Sequence, residues 1–147
     1  MNLRAFLLVL LAVGVRPALG QTAQDQQELP YSVVYSDTNG VTHFRNEHLA
    51  WQAGQIGGAQ FFATAYLDAE KIGFLRIAQG GRADWHPAPS KRFVMVLSGL
   101  LEVEVGDGER RTLGPGNVLL VTDAEGRGHI TNVLGNEEVF LVWVPVP

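Results

Sequence analysis

The sequence contains no cysteine, which excludes disulfide bonds and thiolate chemistry. It also has no run of basic residues, since 11 Lys and Arg are outnumbered by 15 Asp and Glu. A basic patch is the electrostatic signature of a nucleic-acid or anionic-membrane surface, so neither is expected as a partner. No Asn-x-Ser/Thr sequence occurs, and N-glycosylation is therefore excluded as well.

Long apolar runs are missing except at the start of the chain. Apolar residues 5–15 follow a basic start and precede the small-residue exit Ala18-Leu19-Gly20, which predicts a secretory signal peptide over residues 1–20. Arg16 interrupts the run too early for a membrane-spanning helix of about 20 residues, although an uncleaved anchor is the alternative. After cleavage 9 basic and 15 acidic residues remain, a net charge of −6. We predict a secreted or periplasmic protein with no membrane attachment.

No window of the chain shows a helical period, and the remaining sequence is organised as short β-rich runs punctuated by Gly and Pro. Residues 21–30 are polar and rich in Gln, which predicts a flexible lead-in to a single domain over residues 31–147. Residues 31–35 and 41–45 flank an Asn39-Gly40 turn and predict an N-terminal hairpin.

The middle of the chain gives clearer strand signals. Residues 93–97 are apolar throughout, which predicts a strand buried on both faces. Residues 101–105 alternate between apolar and acidic side chains, which predicts one buried face. Residues 49–58 contain three glycines and are predicted to be loop. The other predicted strands are 61–67, 72–78, 109–113, 118–122 and 137–144. About nine strands of this kind predict an all-β jelly-roll barrel with an N-terminal hairpin extension.

The stretch GGRADWHPAPSKRFVMVLSG carries a spaced motif. Gly80 is followed by His86 after five residues, and Gly99 closes the frame. This spacing resembles the first motif of the cupin superfamily, G-x5-H-x-H-x3–4-E-x6-G. Ala88 stands where the second His belongs, and Arg92 stands where the Glu belongs. The resemblance implies a double-stranded β-helix and a cavity that His86 lines.

A second frame follows with Gly126 and His129, and it resembles the second cupin motif, G-x5-P-x-G-x2-H-x3-N. Ala124 occupies the Pro position, Val133 occupies the Asn position, and Gly116 lies two residues too early. The resemblance extends over residues 70–146. It implies that the two histidines come from two separate turns into one cavity.

Metal cupins hold a divalent ion such as Fe, Mn, Ni or Zn with three His and one Glu, so the resemblance implies one such ion or none. Only His86 and His129 are carried over as metal ligands, and a further oxygen or nitrogen ligand is needed. The candidates are His43, His48, Asp84, Glu102 and Asp123. Asp123 also flanks a Gly-rich turn, where acidic residues are ordinary turn formers.

Arg92 is always cationic and cannot coordinate a metal. Facing the cavity, it repels a dication and attracts an anionic substrate, ideally a carboxylate or phosphate held bidentately. At the start of a strand it can equally face solvent. We predict Arg92 and Trp85 as substrate-binding residues, with Trp85 as a wall of the cavity. Without metal, His86 or His129 can act as a general acid or base.

Two functions therefore stay open. The first is an exported cupin enzyme that acts on a small, anionic organic molecule, with His86, His129 and Arg92 as its catalytic residues. Isomerase, lyase and oxygenase chemistry are all compatible with this interpretation. The second is a non-catalytic binding or scaffold cupin that has lost its metal site. The apolar end strand, residues 139–144, is predicted to be an exposed edge and favours a homodimer.

Overall fold

The computed structural model describes residues 28–147. The predicted signal peptide and residues 21–27 of the predicted lead-in lie outside this part of the chain. Within it no helix is long and apolar enough to cross a membrane. The strands are β1 (Glu28–Ser36), β2 (Thr42–Ala50), β3 (Gln52–Ile56), β4 (Ala59–Ala63), β5 (Gly73–Ile77), β6 (Arg82–His86), β7 (Arg92–Ser98), β8 (Leu100–Glu104), β9 (Arg110–Leu113), β10 (Val118–Val121), β11 (His129–Leu134) and β12 (Val139–Pro145).

These strands form a jelly-roll β-sandwich, which confirms the predicted all-β fold. One sheet has the order β2-β1-β10-β7-β12-β5, and the other has the order β6-β11-β8-β9. Strand pairs are antiparallel except for β1 and β10, which run parallel. The hairpin β1–β2 extends the larger sheet at one edge, as the Asn39-Gly40 turn predicts. Strands β3 and β4 pair only with each other.

The core lies between the two sheets and follows from the alternation of side chains along their strands. Leu101 in β8, Val103 in β8 and Val105 just after it are almost fully buried, and the acidic residues between them face outward, as predicted. Val94 and Val96 of β7 approach from the other sheet. Each such aliphatic side chain contributes about 1.5–3 kcal/mol to folding when it is removed from water.

The prediction that residues 93–97 are buried on both faces is wrong. Phe93 and Met95 are only half-buried, and Leu97 is 46% exposed. Strand β7 has hydrogen-bonded neighbours on both sides, but among residues 28–147 its outer face is only partly covered, with Tyr31 packed edge-on against Phe93. Its apolar outer residues therefore reflect a partly exposed sheet surface rather than full burial.

Several predictions about the strands need correction. Strand β1 begins at Glu28, so residues 28–30 belong to the sheet and not to a flexible lead-in. Residues 49–58 are not a loop, because β2 continues to Ala50 and β3 occupies Gln52–Ile56. Strands β6 and β11 were not predicted, and the strand predicted over residues 61–67 is observed at Ala59–Ala63. Strand β12 is not an edge, since it lies between β7 and β5.

Candidate functional site

The two motif histidines meet at the end of the smaller sheet. His86 is the last residue of β6 and His129 is the first residue of β11, and they are directly opposite each other in the antiparallel ladder. Their ring centroids lie 4.6 Å apart, with the ring planes inclined by 52°. Pro87 cannot donate to a β-ladder, which explains why β6 ends at His86 and lies at the sheet edge.

A glycine permits this close approach. Gly128 has φ +85°, and a Cβ atom at this position would overlap the backbone carbonyl of His86. Only glycine tolerates both the left-handed conformation and the contact with a neighbouring backbone. The Gly-rich turn before His129 is therefore a packing requirement of the histidine pair.

Each imidazole is anchored through its Nδ1 atom. His86 Nδ1 lies 2.7 Å from the backbone oxygen of Asp84, and His129 Nδ1 lies 2.6 Å from Oδ2 of Asp123. A carbonyl oxygen and a carboxylate only accept hydrogen bonds, so both rings donate from Nδ1. Each neutral imidazole then carries its lone pair on Nε2.

Arg92 begins β7 and points inward in the same row as Val94 and Val96. It is only 9% exposed. Its Nε donates to the backbone oxygen of Ser90 at 3.0 Å, and its Nη2 donates to the Ser90 hydroxyl at 3.2 Å. The guanidinium carbon lies 5.0 Å from the ring centroid of Trp143, within range of a cation–π interaction.

One cavity of about 270 Å³ connects these groups. His86, His129 and Arg92 all line it, so the structure brings the three predicted catalytic residues together. The rest of the wall is almost entirely apolar and comes from both sheets. It consists of Leu75, Ile77, Ala83, Ala88, Pro89, Val94, Leu101, Val103, Leu119, Val121, Thr131, Leu141 and Trp143.

Trp85 does not line the cavity, and its predicted role as a wall is wrong. The pairing of β6 with β11 is irregular between Ala83 and His86, and these two residues line the cavity while Trp85 between them does not. The Trp85 ring instead lies under the guanidinium of Arg127, at 3.9 Å from ring centroid to Cζ. The tryptophan that lines the cavity is Trp143.

None of the five candidate additional metal ligands is part of the cavity lining. His43 bridges Asp107 and Asp37 through its two ring nitrogens, at 2.7 and 3.3 Å. His48 is exposed at the opposite end of β2. Glu102 accepts a hydrogen bond from Asn132, and the side chain of Asp84 pairs with Arg82.

The remaining candidate, Asp123, is a residue whose importance was underestimated. It is completely buried, and its Oδ1 accepts a hydrogen bond from the backbone N–H of Ala88 at 3.2 Å while its Oδ2 faces His129. Asp123 therefore supports the site from behind the imidazole. The sequence feature that could have indicated Asp123 is its position directly before Ala124, which occupies the Pro position of the second motif. Turn formation explains an acidic residue at this position equally well.

The donor set does not fit a resident metal ion. Among residues 28–147 no group of three or more His, Asp or Glu side chains could hold one. The two remaining motif positions carry Ala88, which has no donor, and Arg92, whose charge repels a cation. Asp123 is already engaged by His129 and by Ala88.

The architecture and the site together define a small jelly-roll protein with two histidines and an arginine in one apolar cavity. Residues 73–145 match the family described as the cupin domain. The chain belongs to the cupin superfamily, which confirms the resemblance seen in its motifs. No curated protein matches it.

Several solved structures are similar to the chain at low identity. The SPY1581 protein of unknown function from Streptococcus pyogenes is 21% identical with a TM-score of 0.40, and the match covers 52% of this chain and 63% of that one. Oxalate oxidase in complex with the substrate analogue glycolate is 15% identical with a TM-score of 0.42, covering 79% and 50%. The Cnp3 cupin domain of Schizosaccharomyces pombe is 15% identical with a TM-score of 0.42, covering 82% and 88%.

Proposed function

We propose that the cavity binds a small organic molecule that carries a carboxylate on an apolar body. The observation that supports this is the Arg92 guanidinium, which is buried at the cavity wall. Within residues 28–147 no carboxylate lies within ion-pair distance of it, and its hydrogen bonds go to the neutral groups of Ser90. A bound anion would supply the missing countercharge.

The energetics favour a carboxylate over a neutral group. Taking a cation out of water costs several kcal/mol, and a partner charge in good geometry offsets much of this. A guanidinium presents its N–H groups as a planar fork that matches the two oxygens of a carboxylate. The stacked Trp143 ring holds that fork in one orientation.

The size and the apolar character of the cavity wall determine which ligand body can fit beside the carboxylate. Its volume of about 270 Å³ lies just below the range of typical small-molecule sites, about 300–1,000 Å³. Because Leu75, Leu119, Leu141 and their neighbours are aliphatic, the body of the ligand is apolar. The Nε2 lone pairs of His86 and His129 would accept hydrogen bonds from a hydroxyl on it.

Titration calorimetry with matched acid and amide pairs tests this proposal. The probes are hexanoate with hexanamide and phenylacetate with phenylacetamide, since the members of each pair have nearly the same shape and the amide replaces a charged acceptor oxygen with a neutral NH₂ donor. We expect at least one acid to bind and its amide to bind at least tenfold more weakly, because a charged hydrogen bond contributes about 1.5–3 kcal/mol. Arg92→Gln should remove this preference.

The matched control is Arg76→Gln, because Arg76 forms an exposed ion pair with Glu138 on the outer surface of the sheet. It should bind the acids like the wild-type protein. Equal binding of acid and amide, or unchanged binding by Arg92→Gln, would contradict the proposal. The metal-dependent alternative predicts instead that EDTA treatment abolishes binding, whereas we expect EDTA to have no effect.

We further propose that the protein acts outside the cytoplasm, on the strength of the signal-peptide pattern in residues 1–20. The mature chain would then begin at Gln21. Mass spectrometry of the full chain expressed in a Gram-negative host checks this. An intact Met1 on the recovered protein would contradict it.

A further inference from the structure

The carboxylate behind His129 gives the two cavity histidines different chemistry. Asp123 is completely buried, and each of its oxygens accepts one hydrogen bond. Oδ2 faces the Nδ1–H of His129 at 2.6 Å. His86 donates instead to a neutral backbone carbonyl. Of the two histidines, only His129 therefore has a carboxylate behind its ring that fixes its tautomer and orientation.

The geometry directs the free nitrogen of His129 into the cavity. Nδ1 faces Asp123, so Nε2 lies on the opposite side of the ring. Within residues 28–147 no side-chain nitrogen or oxygen is both fully buried and without a partner. His129 is only 7% exposed and lines the cavity, so its Nε2 opens onto the cavity.

We infer that His129 is a general base for a molecule held by Arg92, and that Asp123 is the positioning residue that fixes its tautomer. The inference rests on the proposed carboxylate ligand. It assigns a reaction class, proton transfer at a carbon next to a carbonyl, and a substrate class, the 2-oxo carboxylates. These molecules combine the anion that Arg92 binds with a C–H bond acidic enough for an imidazole to break.

The step balances without an oxidant or a co-reactant. The carboxylate of the substrate is held by Arg92, and Nε2 of His129 takes a proton from the carbon adjacent to the carbonyl. The electron pair of that C–H bond forms the enolate double bond, and the carbonyl π pair moves to the oxygen. Return of the proton to the carbon or to the oxygen completes an exchange, an epimerisation or a tautomerisation.

The tautomer of His129 can be measured without any substrate. Long-range ¹H–¹⁵N correlation spectra distinguish the Nδ1–H from the Nε2–H form, and we expect Nδ1–H in the wild-type protein. In Asp123→Asn the amide oxygen stays with the N–H of Ala88, and the amide NH₂ then faces Nδ1 of His129. Because that group only donates, the proton of His129 should move to Nε2.

The matched control is Asp107→Asn, which alters the carboxylate beside His43 and leaves the cavity untouched. It should leave the His129 signals unchanged. A wild-type His129 in the Nε2–H form would overturn the inference, whether or not Asp123→Asn folds. An unchanged tautomer in a folded Asp123→Asn protein would also overturn it.

Deuterium exchange tests the chemistry. Proton NMR follows loss of the C–H signal next to the carbonyl of 2-oxohexanoate and phenylpyruvate in D₂O. We expect the wild-type protein to accelerate exchange and His129→Asn to lose this acceleration, by about 10²–10⁴-fold as is usual for general-base catalysis. Asp123→Asn should lose most of it while hexanoate and phenylacetate still bind.

The two proposals fail differently. If hexanoate or phenylacetate binds through Arg92 but neither oxo acid exchanges faster than in buffer, the base assignment is wrong and a binding protein remains. If the acids show no preference over their amides, the proposed function itself is wrong.

Discussion

Arg92 shows how one side chain changes what a motif position can do. The cupin frame has a metal-binding carboxylate there, and this chain has a cation that the fold turns inward. From the sequence alone its direction was open, because Arg92 lies at the start of a strand. The prediction that residues 93–97 are buried on both faces gave no indication of the direction of the Arg92 side chain. The true alternation places Arg92 in one row with Val94 and Val96 and makes its direction predictable.

Asp123, in contrast to Arg92, is a residue whose role could not be predicted from the local sequence pattern. Its local sequence is that of a turn, and turn chemistry is a sufficient explanation for an acidic residue there. Its role comes from Ala88 and His129, which reach it only because the loop and β11 fold over the cavity. Local chemistry does not contain that information.

Gly128→Ala is predicted to damage both stability and the site. The new Cβ would overlap the His86 carbonyl at a backbone position with φ +85°. We expect the free energy of unfolding to fall by about 2 kcal/mol or more, from strain and steric overlap together. Urea unfolding monitored by tryptophan fluorescence measures this loss.

Gly116→Ala is the matched control, because Gly116 has the same φ of +85° but open space around its Cβ position. It should cost only the conformational strain, about 1 kcal/mol. The carboxylate affinity should also fall in Gly128→Ala and not in Gly116→Ala. Equal losses of stability in the two variants would show that the contact with His86 is unimportant.

At the scale of elements, one histidine connects two turns of the sandwich. His43 on β2 bridges Asp37 in the β1–β2 turn and Asp107 in the β8–β9 turn. The hydrogen bond to Asp107 is the largest cause that raises the pKa of His43, followed by the bond to Asp37. The pKa of Asp107 is lowered, first by the Glu109 backbone N–H, and that of Asp37 is lowered, first by the Val41 backbone N–H.

These pKa shifts predict a pH window for the bridge. Because the folded pKa of His43 is above its usual 6.5, its stabilisation is fully present below pH 6.5 and is lost as the pH rises through the folded value. Because the folded pKa values of Asp37 and Asp107 are below 3.8, the stabilisation that these carboxylates contribute is present above pH 3.8 and is lost as the pH falls through the folded values. The bridge is therefore strongest between these limits.

His43→Gln should destabilise the protein at about pH 5 and much less at about pH 8.5, as the linkage between protonation and folding requires. Chemical unfolding at the two pH values measures the difference. Asp107→Asn should reproduce most of the effect, because Asp107 makes the larger contribution. A destabilisation that stays constant or grows with pH would rule out the charged bridge.

Single elements were predictable where burial affects one face only. Strand β8 follows directly from its alternation, because its inner face packs in the core and its outer face meets solvent. Strand β3 has one partly buried residue and four exposed ones, so no apolar alternation marks it and its glycines suggest a loop, whereas β4 overlaps the strand predicted over residues 61–67. Its pairing rests on backbone hydrogen bonds, which a hydrophobic pattern does not report.

On the scale of the whole molecule, the two outer faces of the sandwich differ. The smaller sheet displays charged and polar groups, with Glu104 paired to Arg110 and Glu102 bonded to Asn132. The larger sheet displays an apolar cluster at β5, β12 and β7, where Phe74 stacks on Phe140 at 6.1 Å. Phe74 is 64% exposed. The outer face of the smaller sheet is typical of a solvent-exposed surface, whereas the apolar cluster on the larger sheet is typical of an interaction site.

Strand order could not be obtained from the sequence and changes the predicted interface. The homodimer was expected at β12 as an exposed edge, but Leu141 of β12 pairs with Leu75 of β5 and with Val96 of β7. Among residues 28–147 the edges of the larger sheet are β2 and β5, and β5 is the edge next to the apolar cluster. Pairings between distant segments depend on the whole fold, and apolar composition alone does not distinguish a central strand from an edge.

We predict that the partner of this surface is a second copy of the chain. An edge strand presents unpaired N–H and C=O groups, and its own two-fold copy supplies a matching antiparallel strand and the same apolar residues. We therefore expect a homodimer joined at β5. Phe74→Glu should make it monomeric, because the substitution places a charge at the centre of the contact.

Light scattering on the purified protein measures the mass, and Ile56→Glu is the matched control. Ile56 is 71% exposed, slightly more than Phe74, but lies on the separate β3–β4 hairpin, so this variant should stay dimeric. A monomeric mass for the wild-type protein would contradict the predicted homodimer. A Phe74→Glu variant that stays dimeric would show that the chains meet elsewhere. The reason is that two carboxylates facing each other in an apolar contact carry a desolvation and repulsion cost that an interface of standard size, about 800 Å² per partner, does not readily offset.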